Sequence, residues 1–265
     1  GLPLDDYIAQ IFGNANDPSH GRQMPCHPCG RKVKYVVMSS VVSTQIPHAV
    51  GIAMGMKIRG HKNRVVVGFM GDGSTSEGDF HVGMNFAGVF HAPVVLVCQN
   101  NQWAISTPGS AQTAAQTLAL KGLGYGIESL RVDGNDVLAV HEVARYAYDK
   151  ARRGDGPTFV EALTYRVSAH SSSDDPTRYR DESVTETWKQ RKDPIERARR
   201  FLFGRGWLDD AGDQALAQKI EKDVRDAIAR QEQVPPPALP TLVQDVFENV
   251  PWHLREELAQ LQGKP

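Results

Sequence analysis

The sequence predicts an α/β protein with a doubly wound, mostly parallel sheet and a helical extension at its C-terminal end. Two observations predict this class. Short runs of apolar, β-branched residues recur along residues 1–193, and segments with a helical pattern lie between them. Strands that are apolar throughout are typical of a parallel sheet whose two faces are both covered by helices. Beyond residue 193 only helical patterns follow.

Each element rests on one of these patterns. We predict strands at 65–69, 94–98, 130–132 and 158–162, because each is a short apolar run. The helices expected between and before them lie at 45–58, 77–90 and 137–153, and those of the tail lie at 194–203, 209–231 and 252–262. We therefore divide the chain into an α/β domain, 1–193, and a helical extension, 194–265, with a stiff proline-rich linker at 235–240.

Composition and charge exclude several classes of function. Lys and Arg number 30 against 31 Asp and Glu, which gives a net charge of -1 and none of the basic surplus of a nucleic-acid binder. The apolar runs are strand-length and far too short to span a membrane. No targeting leader follows Gly1, so we expect a soluble protein of the bacterial cytoplasm, or of the mitochondrial matrix if the source is eukaryotic.

The three cysteines predict a reducing compartment, because an odd and low count argues against a disulfide framework. Cys26 and Cys29 have the spacing of a redox or zinc pair. No helix pattern starts at the pair, as a redox motif would require, and no second pair completes a zinc site. We expect two unpaired thiols in a loop.

Two predicted strands run into loops with polar residues of a particular kind. The first leads into Gly71-Asp72-Gly73-Ser74, and the second leads into Gln99-Asn100-Asn101. In a parallel sheet, ligands bind at the edge where the carboxyl ends of the strands lie. If the two strands are neighbours, Asp72 and Asn101 offer Mg²⁺ a carboxylate and a carboxamide oxygen. The glycines, and a helix opening near residue 77, would let a phosphate approach the backbone, so the sequence predicts a metal-diphosphate site.

Each motif alone is a common turn or loop end, but their order and spacing are specific. Residues 74–99, 26 in number, separate Gly73 from Asn100, and they contain one predicted helix and one predicted strand. This pairing resembles the thiamine diphosphate signature, in which Gly-Asp-Gly is followed a little under thirty residues later by Asn-Asn.

The resemblance extends from residue 1 to about residue 262. The chain resembles the alpha subunit of the decarboxylase component of 2-oxo acid dehydrogenase complexes, which has a thiamine diphosphate-binding fold. Matching stretches are those at 21–25, 44–47, 76–79, 104–108 and 132–136 and the segment around His170. The sequence from His170 through Asp174-Asp175 to Tyr179-Arg180 is similar to the branched-chain (2-oxoisovalerate) members.

The resemblance implies roles for individual residues. Asp72 and the Asn101 side chain would ligate Mg²⁺, joined by the backbone carbonyl of Trp103. His170 matches a histidine at the mouth of the site that takes part in passing the acyl group to lipoamide, and is the catalytic candidate. The other cofactor-binding positions are Ser40, Val42, Gly71, Gly73, Ser74 and Ile105. A loop that matches Ser39, Val41, Thr44 and Gln45 binds K⁺ in some members, and Ser171 matches a serine modified by a dedicated kinase.

Three features depart from the family pattern. Gln99 stands where the family usually has an arginine for the diphosphate, which removes a charge-assisted contact. Gln102-Trp103 replaces a Gly-Tyr pair, a change that a backbone ligand tolerates. The family's Tyr-Arg pair for the diphosphate lies upstream of Gly1, so we expect either that this segment has been removed or that the site is incomplete.

The implied activity is the thiamine diphosphate-dependent oxidative decarboxylation of a small 2-oxo acid, with reductive acylation of a lipoyl group. The implied partners are a beta subunit, in an assembly of two alpha and two beta chains, and a lipoyl-bearing acyltransferase core. In this family the glutamate that activates the cofactor comes from the beta subunit. The alternatives are a pyruvate or acetoin dehydrogenase alpha subunit, a self-contained enzyme of the transketolase kind, and a non-catalytic nucleotide-binding or structural subunit.

Overall fold

Parallel strands form the centre of the segment Val41–Leu208 in the computed structural model, which describes residues 1–244 and 246–263. The strands of this sheet are β1 Val66–Gly71, β2 Val94–Asn100, β5 Glu128–Asp133 and β6 Thr158–Leu163. Their order across the sheet is β1-β2-β6-β5, and every neighbouring pair is parallel. A short antiparallel hairpin, β3 Trp103–Ala104 with β4 Thr107–Pro108, follows β2. The predicted α/β class with a mostly parallel sheet is confirmed.

The register of the sheet places the carboxyl ends of three strands side by side. Gly71 at the end of β1 lies opposite Gln99, and Asn100 at the end of β2 lies opposite Leu163 of β6. The residues that follow β1 and β2 therefore leave the sheet at the same edge. The two strands are neighbours, as the predicted metal-diphosphate site requires.

Helices cover both faces of the sheet, namely α2 Gln45–Ile58 and α3 Gly78–Val89 on one face and α6 Val137–Arg153 on the other. Leu96 of β2 packs into one apolar cluster with α2 and α3, whereas its neighbour Val95 packs into another with α6. Alternate residues of β2 thus face two different helical layers. This arrangement explains why the strand is apolar throughout.

Local capping explains the bounds of α6. The Asp136 side chain accepts the backbone N–H groups of Leu138 and Ala139 at 3.0 and 3.1 Å. Gly154 ends the helix at a φ of 91°, a left-handed conformation that glycine adopts without a steric penalty. The remaining helices of this unit are α4 Gly109–Gln112, α5 Ala119–Leu123, α7 Glu182–Arg191 and α8 Pro194–Gly204.

A second compact unit combines Gly1–Ser40 with Asp209–Pro265. Its helices are α1 Leu4–Phe12, α9 Asp210–Glu232, α10 Thr241–Gln244 and α11 Trp252–Leu261. The Arg230 guanidinium on α9 donates to both carboxylate oxygens of Asp5 on α1, at 2.9 and 2.8 Å. The contacts thus group the two ends of the chain together, while the division at residue 193 stays a prediction.

Two further expectations concern this unit and the chain as a whole. Residues 235–240 carry neither helix nor strand, and the Pro235 carbonyl accepts the Ala15 N–H at 2.9 Å, while their role as a linker stays a prediction. None of the helices within residues 1–244 and 246–263 is long and apolar enough to cross a membrane. Cys26, Cys29 and Cys98 are all unpaired thiols, as expected for the first two.

Candidate functional site

Asp72 lies directly after β1 and is almost completely buried, with 2% of its surface exposed. Its backbone carbonyl accepts the Thr75 N–H at 3.0 Å and the Thr75 hydroxyl at 2.8 Å. These bonds close a 3-10 turn, Gly73–Ser76, and α3 begins two residues later at Gly78. The element that directly follows Asp72 is therefore this short turn, and α3 opens near residue 77, as predicted.

The loop after β1 packs directly against the loop after β2. A Cβ atom added to Gly73 would lie 2.8 Å from the Cβ of Ala104, which is too close for any side chain. Only glycine at this position lets the two loops approach, whereas the space beside Gly71 is open. The structure therefore brings the Gly-Asp-Gly turn into contact with the loop that carries Asn101 and Trp103.

The loop after β2 is shaped by its own two asparagines. The Asn100 Oδ1 atom accepts the Gln102 N–H, and the Asn101 Oδ1 atom accepts the Trp103 N–H, both at 3.0 Å. Each asparagine thus forms a turn with the residue two positions ahead, for which its short amide side chain is suited. Gln102 adopts a φ of 72° within this turn. The Asn101 oxygen retains a second lone pair for a ligand.

A third segment, the loop before α2, meets the turn that follows Asp72. The Ser43 hydroxyl donates to the Ser74 carbonyl at 2.8 Å, and Ser43 and Ser74 are both buried. Val42, the residue before Ser43, is 57% exposed. The Gln45 amide donates to the Phe69 carbonyl of β1 at 3.1 Å. These contacts hold the predicted cofactor position Val42 beside the Gly-Asp-Gly turn.

The segment that carries His170 is tied to the Trp103 loop through Arg166. One terminal nitrogen of Arg166 donates to the Ile105 carbonyl at 2.7 Å and to the Tyr179 hydroxyl at 2.6 Å. Tyr179 in turn donates to Asp174 Oδ2 at 2.7 Å, and that oxygen also accepts the His170 N–H at 2.8 Å. The His170 N–H and the Tyr179 hydroxyl lower the pKa of Asp174. His170 is exposed, as predicted.

A half-buried cation lies beneath the turn after Asp72. Lys121 Nζ donates to the carbonyl and the hydroxyl of Thr75 at 2.7 and 2.9 Å, and burial lowers the pKa of Lys121. Nearby on β2, Cys98 is fully buried, and burial raises the pKa of its thiol, which keeps the thiol neutral. Gln99, which replaces the family arginine, is exposed at the end of the same strand.

Two residues at this edge were not found by sequence reasoning. Glu161 of β6 is fully buried, and its carboxylate accepts the Asn100 side-chain amide at 2.7 Å. Gln112 Nε2 donates to Asp72 Oδ2 at 2.9 Å. An acidic residue inside an apolar strand was a signal that could have identified Glu161, whereas a glutamine in a polar loop carries no comparable signal.

Asp72 also faces a cavity of about 750 Å³. Its wall includes Asn100, Trp103, Gln112, Arg131 and Glu161. The cavity therefore opens at the carboxyl edge of the sheet, where α/β proteins of this kind bind their ligands.

Comparison with known proteins decides the family. A sequence model described as the dehydrogenase E1 component matches residues 1–239. The chain belongs to the dehydrogenase E1 component family. This membership confirms the resemblance inferred from the sequence motifs and agrees with the parallel sheet and its two loops.

Relatives of this E1 component chain agree with one another in their names. This chain is 42% identical over 257 residues to the mitochondrial 2-oxoisovalerate dehydrogenase subunit alpha 2 of Arabidopsis thaliana. The matched residues cover 97% of this chain and 54% of that protein. It is 40% identical over 259 residues to the mitochondrial 2-oxoisovalerate dehydrogenase subunit alpha of Mus musculus and to that of Homo sapiens, covering 98% of this chain and 58% of each relative. The chain thus spans little more than half the length of these relatives.

The oxygen atoms at this edge of the E1 component chain are of the kinds that Mg²⁺ prefers. No group of three or more His, Cys, Asp or Glu side chains in the described part of the chain could hold a metal. The atoms at hand are the Asp72 carboxylate, the Asn101 amide oxygen and the Trp103 carbonyl, and Mg²⁺ takes its other ligands from phosphate and water. The Trp103 carbonyl is 3.5 Å from Arg166, at the long limit of a hydrogen bond. It therefore keeps acceptor capacity.

The E1 component site residues predicted from sequence fall into two groups. Most of them lie at the carboxyl edge of the sheet or on loops that contact that edge. These positions are Val42, Gly71, Asp72, Gly73, Ser74, Asn101, Trp103 and Ile105. Ser40 falls in the unit formed by the two ends of the chain, where its hydroxyl lies 2.9 Å from His27 Nε2, so its role in binding the cofactor stays a prediction. The roles of all these residues, and that of His170, are proposals.

Proposed function

We propose that this chain is the alpha subunit of a branched-chain 2-oxo acid dehydrogenase and holds the magnesium–diphosphate end of thiamine diphosphate. One observation carries the proposal. In a member of the dehydrogenase E1 component family, the Gly-Asp-Gly turn after β1 packs against the Asn-Asn loop after the neighbouring strand β2. The family pattern requires these two loops to meet around a metal ion.

Each proposed residue has a physical task. Asp72, buried at the strand end, supplies a fixed negative charge, and the Asn101 and Trp103 oxygens complete the protein's share of the Mg²⁺ ligands. Gly71, with open space beside it, leaves room for a diphosphate next to Ser74. Gly73 lets the neighbouring loop, which carries Ile105, approach the Gly-Asp-Gly turn. Val42 supports the thiamine through apolar contact, and Ser40 matches a family position that contacts the cofactor. When bound, the cofactor acts as an electron sink for the cleavage of the carboxyl group.

The proposed substrate is supported by the names of the relatives. The proposed partners are supported by the way this family divides its catalytic groups between two subunits. The names of the matched relatives favour 2-oxoisovalerate or a similar branched 2-oxo acid. A beta subunit would supply the activating glutamate, in an assembly of two alpha and two beta chains. His170 would move a proton during acyl transfer to the lipoyl group of an acyltransferase core. A K⁺ ion bound by Ser39, Val41, Thr44 and Gln45, and modification of Ser171, belong to the same proposal. A reducing cytoplasm agrees with three unpaired thiols.

The test is reconstitution with the beta subunit of the same decarboxylase. We expect release of CO₂ from 2-oxoisovalerate, with Mg²⁺, thiamine diphosphate and an artificial electron acceptor, only when both subunits are present. Pyruvate should be turned over less efficiently, as judged by kcat/KM. Robust decarboxylation by this chain alone would contradict the shared site, and the same kcat/KM for pyruvate would contradict the branched-chain assignment.

The Asp72→Asn variant tests the proposed metal ligand. We expect it to raise the Mg²⁺ concentration needed for half-maximal activity by about 100-fold or more, because loss of even an outer-shell group costs 10–100-fold in affinity. The matched control is Asp79→Asn, which makes the same change in the first turn of α3 and should alter this concentration less than about twofold.

Calorimetry with ATP in place of thiamine diphosphate tests the nucleotide-binding alternative, for which we expect no heat of binding.

A further inference from the structure

The Gln112 side chain contacts the carboxylate that is proposed to hold the metal. Its Nε2 atom donates to Asp72 Oδ2 at 2.9 Å and lies 3.3 Å from the Thr107 carbonyl. Both neighbours are acceptors, so the amide must present its nitrogen to them. The orientation of the Gln112 amide is therefore fixed by its surroundings, and its oxygen points away from Asp72 Oδ2.

The amide oxygen of Gln112 is buried and has no hydrogen-bond partner among the described residues. Buried acceptors are almost always paired with a protein donor or with an ordered water. Gln112 and Asp72 both line the cavity of about 750 Å³, which has ample room for water molecules at this place. The unpaired oxygen next to a buried carboxylate indicates a missing hydrogen-bond donor.

We propose that Gln112 is a positioning residue for the divalent cation, and that it orients both a protein ligand and a water ligand of the metal. Its N–H group fixes one oxygen of Asp72, which orients the carboxylate toward the metal. Its amide oxygen accepts a hydrogen bond from a water molecule of the metal's hydration shell. Mg²⁺ keeps several waters in protein sites, and groups that orient first-shell ligands affect metal affinity strongly. This inference rests on the proposed function and extends it to a residue outside the family's metal-ligand pattern.

A purely structural role predicts a different result. If Gln112 only anchors its loop to Asp72, its loss would lower thermal stability and leave metal affinity unchanged. The Gln112→Met variant separates the two roles, because methionine has a similar length and a similar helix propensity but lacks both hydrogen-bonding groups. Gln190→Met is the matched control, since Gln190 is an exposed glutamine on α7 in the same unit and lies outside the cavity wall.

The experiment uses the assembly of this chain with its beta subunit and uses Mn²⁺ as the probe. Electron paramagnetic resonance titration in the presence of thiamine diphosphate gives the Kd of Mn²⁺. We expect Gln112→Met to raise this Kd at least about tenfold. We expect Gln190→Met to stay within about twofold of the wild-type value. Exchange into deuterated water should show one fewer ordered water near the Mn²⁺ of the Gln112→Met variant.

The outcomes are distinguishable. If the wild-type assembly binds Mn²⁺ and Gln112→Met binds it equally well, the positioning role is wrong and the proposed function stands. If the wild-type assembly binds no Mn²⁺ with thiamine diphosphate, the proposed function itself fails, and the inference fails with it. The thermal unfolding temperature without metal is recorded for each variant. The titration is repeated at several concentrations of thiamine diphosphate. If a folded Gln112→Met variant binds Mn²⁺ with the wild-type affinity at any of these concentrations, the inference is also overturned.

Discussion

At the residue scale, Glu161 shows how a buried charge is accommodated below the candidate site. Its Oε1 atom accepts the Asn100 amide at 2.7 Å and lies 3.5 Å from Arg131 Nε, and its Oε2 atom accepts the Ala119 N–H at 2.9 Å. A buried carboxylate is tolerated only when such partners are present. Glu161 thereby connects β6 to the loop after β2 and to the start of α5.

Replacing Glu161 should be costly. We expect Glu161→Leu to lower the free energy of unfolding by about 3–5 kcal/mol, because the Asn100 amide and the Ala119 N–H would remain buried without an acceptor. Glu161→Gln, which keeps one acceptor oxygen, should cost less. Urea denaturation followed by circular dichroism measures both changes. The control Glu142→Leu alters an exposed carboxylate on α6, and an equal loss of stability there would contradict the role given to Glu161.

Individual site residues differ in how far the sequence could reveal them. Asp72 and Asn101 were predicted because glycines and a second asparagine mark strand ends in a specific order. Ser43 and Gln112 were not, because their contacts to Ser74 and Asp72 join segments that are distant in sequence. Such contacts depend on loop conformations that no local pattern encodes, so the accessory groups of the site had to come from the structure.

At the scale of elements, local signals predicted the long helices and missed the short ones. The bounds of α2 and α6 agree with the prediction to the residue, because their patterns are long, and α6 also ends at clear caps. The hairpin β3–β4 and the helices α1, α4, α5, α7 and α10 were missed. Elements of two to five residues gain too little from local propensity to be recognised, and only tertiary packing stabilises them.

The pairing of α1 with α9 was also missed, and it leads to a prediction about pH. The hydrogen bond from Arg230 lowers the pKa of Asp5. A carboxyl group whose pKa is lower in the folded state stabilises that state above its unfolded pKa, and this contribution is lost as the pH falls through the folded pKa. The contact between α1 and α9 should therefore weaken in acid, below about pH 4.

Carbon-detected NMR titration of the Asp5 carboxyl group measures this effect. We expect a midpoint below the ordinary value for aspartate, and Arg230→Gln should return the midpoint toward that value. Because both side chains are partly exposed, added salt should shrink the difference. Identical midpoints in the wild type and in Arg230→Gln would show that the ion pair does not form in solution.

At the scale of the whole molecule, α3 is apolar on its outer side as well as its inner side. Phe80 and Met84 are completely buried against the sheet, whereas Val82, Phe86 and Val89 are 54%, 46% and 64% exposed. A helix that is apolar all round is normally buried on all sides. The outer side of α3 is therefore the surface that the proposed assembly with partner chains would cover.

A charge on this surface should prevent assembly without unfolding the chain. We expect Val89→Asp to reduce the fraction of chain that elutes with the beta subunit in size-exclusion chromatography at least tenfold, because an unpaired charge would be buried at the interface. Leu216→Asp, an exposed position on α9, serves as the control. Normal assembly of Val89→Asp would exclude the outer side of α3 from the interface.

The union of the two chain ends in one unit has a consequence for synthesis on the ribosome. Asp5 and Arg230 are 225 residues apart. At a translation rate of roughly 5–20 residues per second, α1 must wait roughly 10 to 45 seconds for α9 to emerge. During that interval α1 exposes apolar side chains, to which molecular chaperones can bind.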